Sequence, residues 1–151
     1  MPGYGVPDKL DGALPWSWAV ERLVKCRNYF VATTRPDGRP HVMAVWGLWL
    51  PEKNLFGFST AITAVKSRNL LANPACAITI EDGHHNVVVE GAARLAELSE
   101  LPEFIKTYAQ KYYGKDDTTA VESPIWTVKP SVAFAFKEDD TFSTSATRWE
   151  F

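Results

Sequence analysis

Cysteine is scarce in this chain of 151 residues, which contains only Cys26 and Cys76. Each thiol lies in an apolar run, where a free cysteine behaves as a small hydrophobic residue. One widely separated pair makes a poor disulfide framework, so we expect a reducing, cytoplasmic compartment. The chain also lacks a run approaching the ~18 apolar residues of a membrane-spanning helix, and its first 15 residues lack a secretory signal pattern. We therefore expect neither a secreted nor a membrane-embedded protein.

An excess of basic residues is missing as well. The chain has 16 Lys and Arg against 18 Asp and Glu, for a formal net charge of −2. A protein that binds nucleic acid or a membrane surface needs a basic face. We expect neither partner.

Motifs of several enzyme and metal-binding classes are absent. A structural zinc site needs about four His, Cys or acidic ligands, whereas adjacent His84 and His85, beside Glu81 and Asp82, suit a solvated hairpin tip. The Asp82-Gly83 segment lacks the alternating acidic ligands of an EF-hand. No G-x-S-x-G, G-x-G-x-x-G or P-loop occurs. We expect no metal site, and neither Rossmann-type nor nucleoside-triphosphate binding.

What the chain does have is enough apolar residues for one self-supporting domain. Apolar residues make up 46% of the sequence, and six of the aromatic residues are Trp. A chain of this length folds without metals or disulfides. We expect a loose N-terminal arm over residues 1–14, rich in Pro and Gly, and a single domain over residues 15–151.

Alternating hydrophobicity and turn residues predict a mainly β fold. The predicted connections are mostly hairpin turns, so we expect an antiparallel sheet closed into a β-barrel with flanking helices, of six or seven strands and two or three helices. Ser99 is the expected N-cap of the last helix, Gly114 its end, and residues 115–123 a polar loop. The predicted strands are 28–35, 39–50, 55–60, 75–80, 87–98, 131–137 and a terminal extended segment 145–151; the predicted helices are 16–25, 64–72 and 100–113.

The segment from residue 58 to residue 69 is the most informative for function. A strand ends in Ser59 and Thr60, and a short loop then leads into a helix that carries Lys66 and Ser67. The start of such a helix offers free N–H groups and the positive end of the helix dipole, which suits a phosphate. The alternative is a plain strand end followed by a solvated helix with basic residues.

A second candidate segment is the strand His41–Trp46. An extended strand can offer backbone groups to the polar edge of a planar ring and side chains to its face. The alternative is a core strand. The candidate residues are His41, Val42, Met43, Ala44, Val45 and Trp46.

Four segments in this order are similar to the pyridoxamine 5′-phosphate oxidase-like split β-barrel family, and most of all to its actinobacterial flavin- and deazaflavin-dependent oxidoreductases. They are ATTRPDGRPHVMAVWGLWL (32–50), FSTAITAVKSRNLLANPACAITIED (58–82), VVVEGAARL (87–95) and ATRWEF (146–151). The resemblance covers roughly residues 16–151. It implies a homodimer that binds FMN or the deazaflavin coenzyme F-420 in a groove between subunits.

The resemblance also implies roles for individual residues. The strand 41–46 would run along the ring, the hydroxyls at 59 and 60 would meet the ribityl or phosphate portion, and the residues at 66 and 67 would bind the phosphate. Trp126, Arg148 and Trp149 would approach the ring from the other subunit. Relatives that use the deazaflavin often carry Arg or Lys just before position 66, whereas residues 61–65 here have no charge, so the choice of cofactor stays open. The full set of implied cofactor-binding residues is His41, Val42, Met43, Ala44, Val45, Trp46, Ser59, Thr60, Ala61, Val65, Lys66, Ser67, Trp126, Arg148 and Trp149.

The function that follows is hydride transfer between a flavin-type ring and a small planar or conjugated substrate. No side chain is an obvious proton donor, although His41 and Tyr29 are candidates. One alternative is a non-catalytic carrier or storage protein for a flavin, haem or other planar ligand, since fold does not fix function. Another is a structural dimer with a vestigial groove. We expect Trp46, Trp49 and Trp126 to line an exposed apolar groove that forms the dimer interface.

Overall fold

The computed structural model describes residues 14–114 and 124–151. The expected loop over 115–123 lies outside these residues, and so does the expected arm over 1–14 except for its last residue. Leu14 is buried in the core, and its N–H donates to the Thr147 hydroxyl at 3.0 Å. The folded domain therefore includes Leu14.

The β-strands form one antiparallel sheet that closes on itself. The sheet order is β3-β2-β1-β4-β5-β6-β7, and β3 also pairs with β6. In the part of the chain that the structure describes, six strands therefore make a closed barrel with β7 outside it. This confirms the predicted mainly β, antiparallel barrel. The strands are β1 Asn28–Thr34, β2 Pro40–Leu50, β3 Leu55–Ser59, β4 Ala75–Ile80, β5 His85–Ala96, β6 Ile125–Lys137 and β7 Thr147–Glu150.

Four helices flank the barrel within the described residues: α1 Trp16–Lys25, α2 Val65–Ala72, α3 Pro102–Tyr113 and the single turn α4 Phe142–Ser145. The last was not predicted. Ser99 as the N-cap of α3 is wrong, because that helix begins at Pro102 and Ser99 lies in a preceding 3-10 turn, Leu98–Glu100. Proline suits the first helical turn, where its missing N–H costs nothing. Gly114 ends α3 in the left-handed conformation, with φ 65°, as predicted.

Strand β6 begins six residues earlier than predicted, at Ile125 instead of Ser131. Pro130 interrupts the pattern, and proline is confined to edges and irregular points of a sheet. Here the partner strand β5 has a register shift between Glu90 and Gly91, opposite this proline. The irregularity lets the strand continue through Pro130.

The core has two parts. Inside the barrel, Tyr29, Phe56, Phe58 and Trp126 are fully buried. Outside it, the apolar face of α3 packs against β2, as its helical spacing predicted. Fully burying one such side chain contributes about 1.5–3 kcal/mol. Trp49 and Trp126 are 4% and 2% exposed, so their expected place in an exposed groove is wrong, because both rings point into the core.

Both cysteines are free and buried. Within the described residues, no helix is both long and apolar enough to span a membrane.

Position 91 should require glycine, because β5 and β6 approach each other closely there. A Cβ at this position would collide with the carbonyl oxygen of Lys129, a backbone atom that cannot step aside. We predict that Gly91→Ala lowers the free energy of unfolding by about 1–3 kcal/mol, as overpacking does. Urea denaturation measures this change.

The matched control is Gly83→Ala in the turn between β4 and β5, where an added Cβ meets nothing within 4 Å. Equal stability of the two variants would contradict the close approach.

Candidate functional site

Strand β2 changes its partner half-way along. Residues 40–46 pair with β1, whereas residues 47–50 pair with β3 on the opposite edge. No described strand covers the second edge of residues 40–46. Alternate backbone groups of an antiparallel strand point to each edge, and such groups need a hydrogen-bonding partner. Along this stretch, a row of N–H and C=O groups is therefore not paired with any strand of the described residues.

A cavity of about 330 Å³ lies beside this strand edge. It is within the size range of small-molecule sites. Most of its lining belongs to the predicted site, but Asn28 and Tyr108 do not. Asn28 of β1 pairs with Trp46 of β2, and Tyr108 belongs to the apolar face of α3. Neither residue lies in a sequence pattern that predicts ligand binding. The lining residues are Asn28, Ala44, Val45, Trp46, Ser59, Thr60, Lys66 and Tyr108.

A second cavity, of about 370 Å³, lies between α1 and the turn after β4. Its carboxylates already have partners: Glu21 binds Lys25, Asp82 binds His85 and Glu81 accepts from Asn28. A charged ligand would have to displace these bonds. The cavity beside β2 is the stronger candidate.

Lys66 stands at one end of the candidate site, in the first turn of α2. The N-cap of that helix, Ala64, makes no side-chain capping bond, so the first N–H groups of α2 are not capped by it. The ammonium group is half-buried, and desolvation lowers the pKa of Lys66. An anion here would meet a cation and a helix N-terminus.

Ser67 stabilises the loop before α2 through two internal hydrogen bonds. The residue is fully buried. Its hydroxyl donates to the Ala61 carbonyl at 2.8 Å and accepts the Trp126 indole N–H at 3.2 Å. Both bonds are internal, so Ser67 shapes the loop and its hydroxyl is not presented to a phosphate.

Trp126 is correspondingly a residue of the barrel interior. Its burial contradicts the expectation that its ring approaches a cofactor in the partner subunit.

The predicted loop residues before Lys66 are less buried than Ser67: Ala61 is exposed and Val65 is half-buried. The Ala64 N–H donates to the Ala61 carbonyl at 3.0 Å and closes a turn.

His41 lies beside Arg35, a residue that sequence reasoning missed. An Arg35 guanidinium nitrogen is 3.5 Å from His41 Nδ1. Partial burial, then the Arg35 and Lys66 charges, lower the pKa of His41. Arg35 comes from the turn between β1 and β2, where a basic residue has no distinctive sequence signal.

The opposite end of the site is aromatic. The Trp46 ring stacks on Tyr112 of α3, with centroids 4.8 Å apart and planes 7° from parallel. The Tyr112 hydroxyl accepts the Gly47 N–H at 2.9 Å and donates to the Arg27 carbonyl at 2.6 Å. Offset stacking and two hydrogen bonds fix this wall of the cavity.

Met43 and Val42 also lie on the free-edged part of β2. They are among the most exposed large apolar side chains of the described residues. Tyr29, by contrast, is fully buried, and its hydroxyl donates to the Leu23 carbonyl at 2.5 Å. The hydroxyl is enclosed in the core and Tyr29 is not part of the cavity lining, so its candidacy as a proton donor to a substrate is wrong; burial also raises the pKa of Tyr29.

Arg148 and Trp149 of β7 face opposite sides of the sheet. Trp149 is opposite buried Ala133 and packs on Trp16, with ring centroids 5.1 Å apart. Arg148 is exposed, opposite Phe134, and forms an ion pair with Glu150. Only Arg148 points outward, and the predicted contact of either residue with a cofactor in the partner stays a prediction.

A profile of pyridoxamine 5′-phosphate oxidases matches residues 19–136. The chain belongs to the pyridoxamine 5′-phosphate oxidase family. This confirms the resemblance to the family, and three of the four sequence segments lie within the matched residues. No curated protein matched the sequence.

Several solved structures share the fold. A conserved hypothetical protein of Mycobacterium tuberculosis, Rv2991, is 19% identical with a TM-score of 0.71, over 82% of this chain and 85% of that one. An F420 reductase is 26% identical with a TM-score of 0.58, over 75% of this chain and 94% of that one. HutZ, a haem storage protein of Vibrio cholerae, is 17% identical with a TM-score of 0.60, over 78% and 89%. Members of this fold thus include proteins named for quite different ligands.

No group of three or more potential metal ligands comes together in the described parts of the chain.

Lys111, next to the stacked Tyr112, should make the free energy of unfolding increase as the pH rises. Its ammonium donates to the Tyr29 hydroxyl at 3.1 Å and the Gly47 carbonyl at 3.2 Å, and burial lowers the pKa of Lys111 from 10.5 to about 8. Above pH 8 the unfolded chain binds more protons than the folded one at this residue. The contribution of Lys111 to the free energy of unfolding therefore becomes more favourable as the pH rises from 8 towards 10.5.

Urea denaturation at about pH 7.5 and 9.5 tests this linkage. Lys111→Met should remove the pH-dependent component, whereas Lys106→Met, an exposed residue on the same helix, should retain it. The same pH dependence in both variants would exclude Lys111 as its source.

Proposed function

We propose that this protein binds a flavin-type cofactor, FMN or the deazaflavin coenzyme, and transfers hydride between it and a small planar or conjugated substrate. The observation that carries the proposal is the free edge of residues 40–46, which borders the cavity between the Trp46 wall and Lys66. A planar heterocycle with a polar edge matches such a row of backbone groups. The name of the F420 reductase among the similar structures supports the same class of ligand.

The length of the strand suits a ring with a phosphorylated side chain. Five residue steps from Trp46 to His41 span about 17 Å at the usual rise of a β-strand. The ring would lie near Trp46, Asn28 and Tyr108, the hydroxyls of Ser59 and Thr60 would bind the chain, and Lys66 would bind the phosphate. When bound, the cofactor supplies the redox chemistry. The protein residues hold its polar edge, orient it and neutralise its anionic end.

The outer face of the sheet supports a homodimer. One row of paired residues crosses six strands: Ala44, Phe30, Thr79, Val88, Phe134 and Arg148. Phe30 and Phe134 are 38% and 37% exposed and Val42, on the same face, 54%. An apolar face of this kind marks an interface, and two-fold dimers are the commonest arrangement. In such a dimer Arg148 would be at the interface.

Both thiols are free, which supports a reducing, cytoplasmic setting.

A carrier or storage role is the second candidate. The cavity lining contains hydroxyl, amide and ammonium groups but, among the described residues, no carboxylate or thiol. Burial raises the pKa of Tyr108, so Lys66 is the remaining candidate in that lining for an acid or base in substrate turnover. A haem storage protein shares the fold. Steady-state turnover of the reduced cofactor with a dye acceptor separates the two functions, since binding without turnover identifies a carrier.

Lys66→Ala should weaken cofactor binding. Loss of a charge-assisted contact to the phosphate would raise the Kd for FMN, or for the deazaflavin, by about tenfold or more. Visible absorbance and fluorescence titrations measure the Kd. Lys106→Ala, which removes an exposed charge from α3, is the control. Failure of both cofactors to bind at micromolar concentration would contradict the proposed function.

Phe30→Glu should dissociate the dimer. A carboxylate at the centre of an apolar interface would be desolvated without a partner, so sedimentation velocity at micromolar concentration should change from a dimer to a monomer. Val24→Glu places the same charge on an exposed apolar position of α1 and should stay dimeric. A monomeric wild-type protein would contradict the shared site.

A further inference from the structure

Asn28, which lines the candidate cavity, is held by hydrogen bonds from residues that do not line it. The Glu81 carboxylate accepts the Asn28 backbone N–H at 3.2 Å and the side-chain Nδ2–H at 2.8 Å. The Asn28 carbonyl accepts the Cys26 thiol at 2.8 Å. Both the main chain and the side chain of Asn28 are therefore fixed before any ligand binds.

The Glu81 carboxylate decides which way the Asn28 amide points. An ionised carboxylate only accepts hydrogen bonds, whereas an amide has a donor end and an acceptor end. The hydrogen bond from the Asn28 amide, above all, holds the pKa of Glu81 below its usual value, so the carboxylate is ionised at neutral pH. Turning the amide over would set Oδ1 against a carboxylate oxygen. The Nδ2 end therefore faces Glu81, and the Oδ1 end faces away from it.

The Asn28 Oδ1 is an acceptor beside the aromatic wall of the cavity. Asn28 and Trp46 are directly opposite each other in β1 and β2, so their side chains share one face of the sheet, with Cβ atoms about 5 Å apart. Among the described residues, no group donates a hydrogen bond to this oxygen. Because Glu81 does not line the cavity, the amide end turned away from it is the end presented to a ligand.

We propose that Asn28 is a specificity-determining residue whose Oδ1 accepts a hydrogen bond from a ring N–H of a lactam or imide heterocycle, and that Glu81 is the positioning residue that presents this acceptor. The inference rests on the proposed function, because the pyrimidine half of a flavin or deazaflavin carries an imide N–H between carbonyl groups. Haem has no such donor, because its ring nitrogens bind iron. A site built to pair with a ligand N–H rejects a ligand that lacks it.

Glu81→Gln should release the Asn28 amide with almost no change of size. The variant side chain has one acceptor oxygen, whereas Asn28 directs two donors at position 81. When that oxygen accepts the backbone N–H, the new NH2 group faces Asn28 and favours the amide that is turned over. The donor Nδ2 is then presented to the ligand. The variant should therefore change ligand selectivity, which a purely structural role of Glu81 would not change.

The first experiment compares FMN with its N3-methyl derivative, which lacks the imide N–H, by fluorescence titration. The wild-type protein should bind FMN about tenfold more tightly than the derivative, because methylation leaves the Asn28 acceptor without a donor. In Glu81→Gln this ratio should fall by about threefold or more. Glu52→Gln, an exposed glutamate in the turn after β2, should keep the wild-type ratio. The methyl group has the same bulk in every titration, so a change of ratio reports on hydrogen bonding.

The second experiment needs no flavin. The side-chain NH2 signals of Asn28 are followed by nitrogen–proton correlation NMR while uracil, a small imide, is added at millimolar concentration. Dimethyluracil, methylated on both ring nitrogens, is the matched control. Uracil should shift the Asn28 signals and dimethyluracil should not, since only uracil can donate to Oδ1. Glu81→Gln should reduce the response to uracil, whereas Glu52→Gln should retain it.

The outcomes separate this inference from the proposed function. If FMN binds but its N3-methyl derivative binds equally tightly, or if Glu81→Gln keeps the wild-type ratio, the inference is overturned while the proposed function stands. If FMN fails to bind but uracil shifts Asn28 and dimethyluracil does not, the proposed function fails and imide recognition by Asn28 stands. If FMN fails to bind and the two uracils act alike, both are overturned.

Discussion

The change of partner along β2 at Gly47 is the constraint on which the rest of the structure depends. From this residue on, β2 pairs with β3, and β3 pairs with β6 to close the barrel. Before it, no described strand pairs with the second edge of β2. An added Cβ at Gly47 would collide with the Phe56 ring. Its N–H is bound by the Tyr112 hydroxyl and its carbonyl by Lys111. Barrel closure, docking of α3 and the open strand edge therefore meet at one residue.

The site depends equally on buried polar contacts that place α2. This short helix has few apolar contacts of its own, with Leu70 as its buried apolar side chain. Two internal hydrogen bonds of Ser67 and the link from Asn69 to Thr33 attach it to the barrel. Each such bond contributes only about 1 kcal/mol, but leaving one partner unpaired in the core costs more. These contacts keep Lys66 opposite the free strand edge.

Proteins of this fold differ in what they bind, since an F420 reductase and a haem storage protein both align with the chain. The barrel cannot distinguish these functions, because it provides only the scaffold. The discriminating features are side chains at the two ends of the groove. A stacked aromatic wall suits any planar ligand, whereas the Lys66 ammonium at the other end favours an anionic one.

Local sequence determined the elements. Period-two alternation and the turn at Pro36-Asp37-Gly38 predicted the first hairpin, helical spacing predicted the buried face of α3, and the Ser59–Ser67 segment predicted a strand-to-helix anion loop; these signals act between neighbours in the chain. Only the tertiary structure showed that Trp126 and Ser67 bind each other in the interior, that Trp149 faces inward, and that Arg35 reaches His41. Trp126 and Ser67 are far apart in sequence, whereas the other two cases depend on the direction that a side chain takes from its strand or turn. The closure and register of the sheet decide all three, not the propensity of any residue.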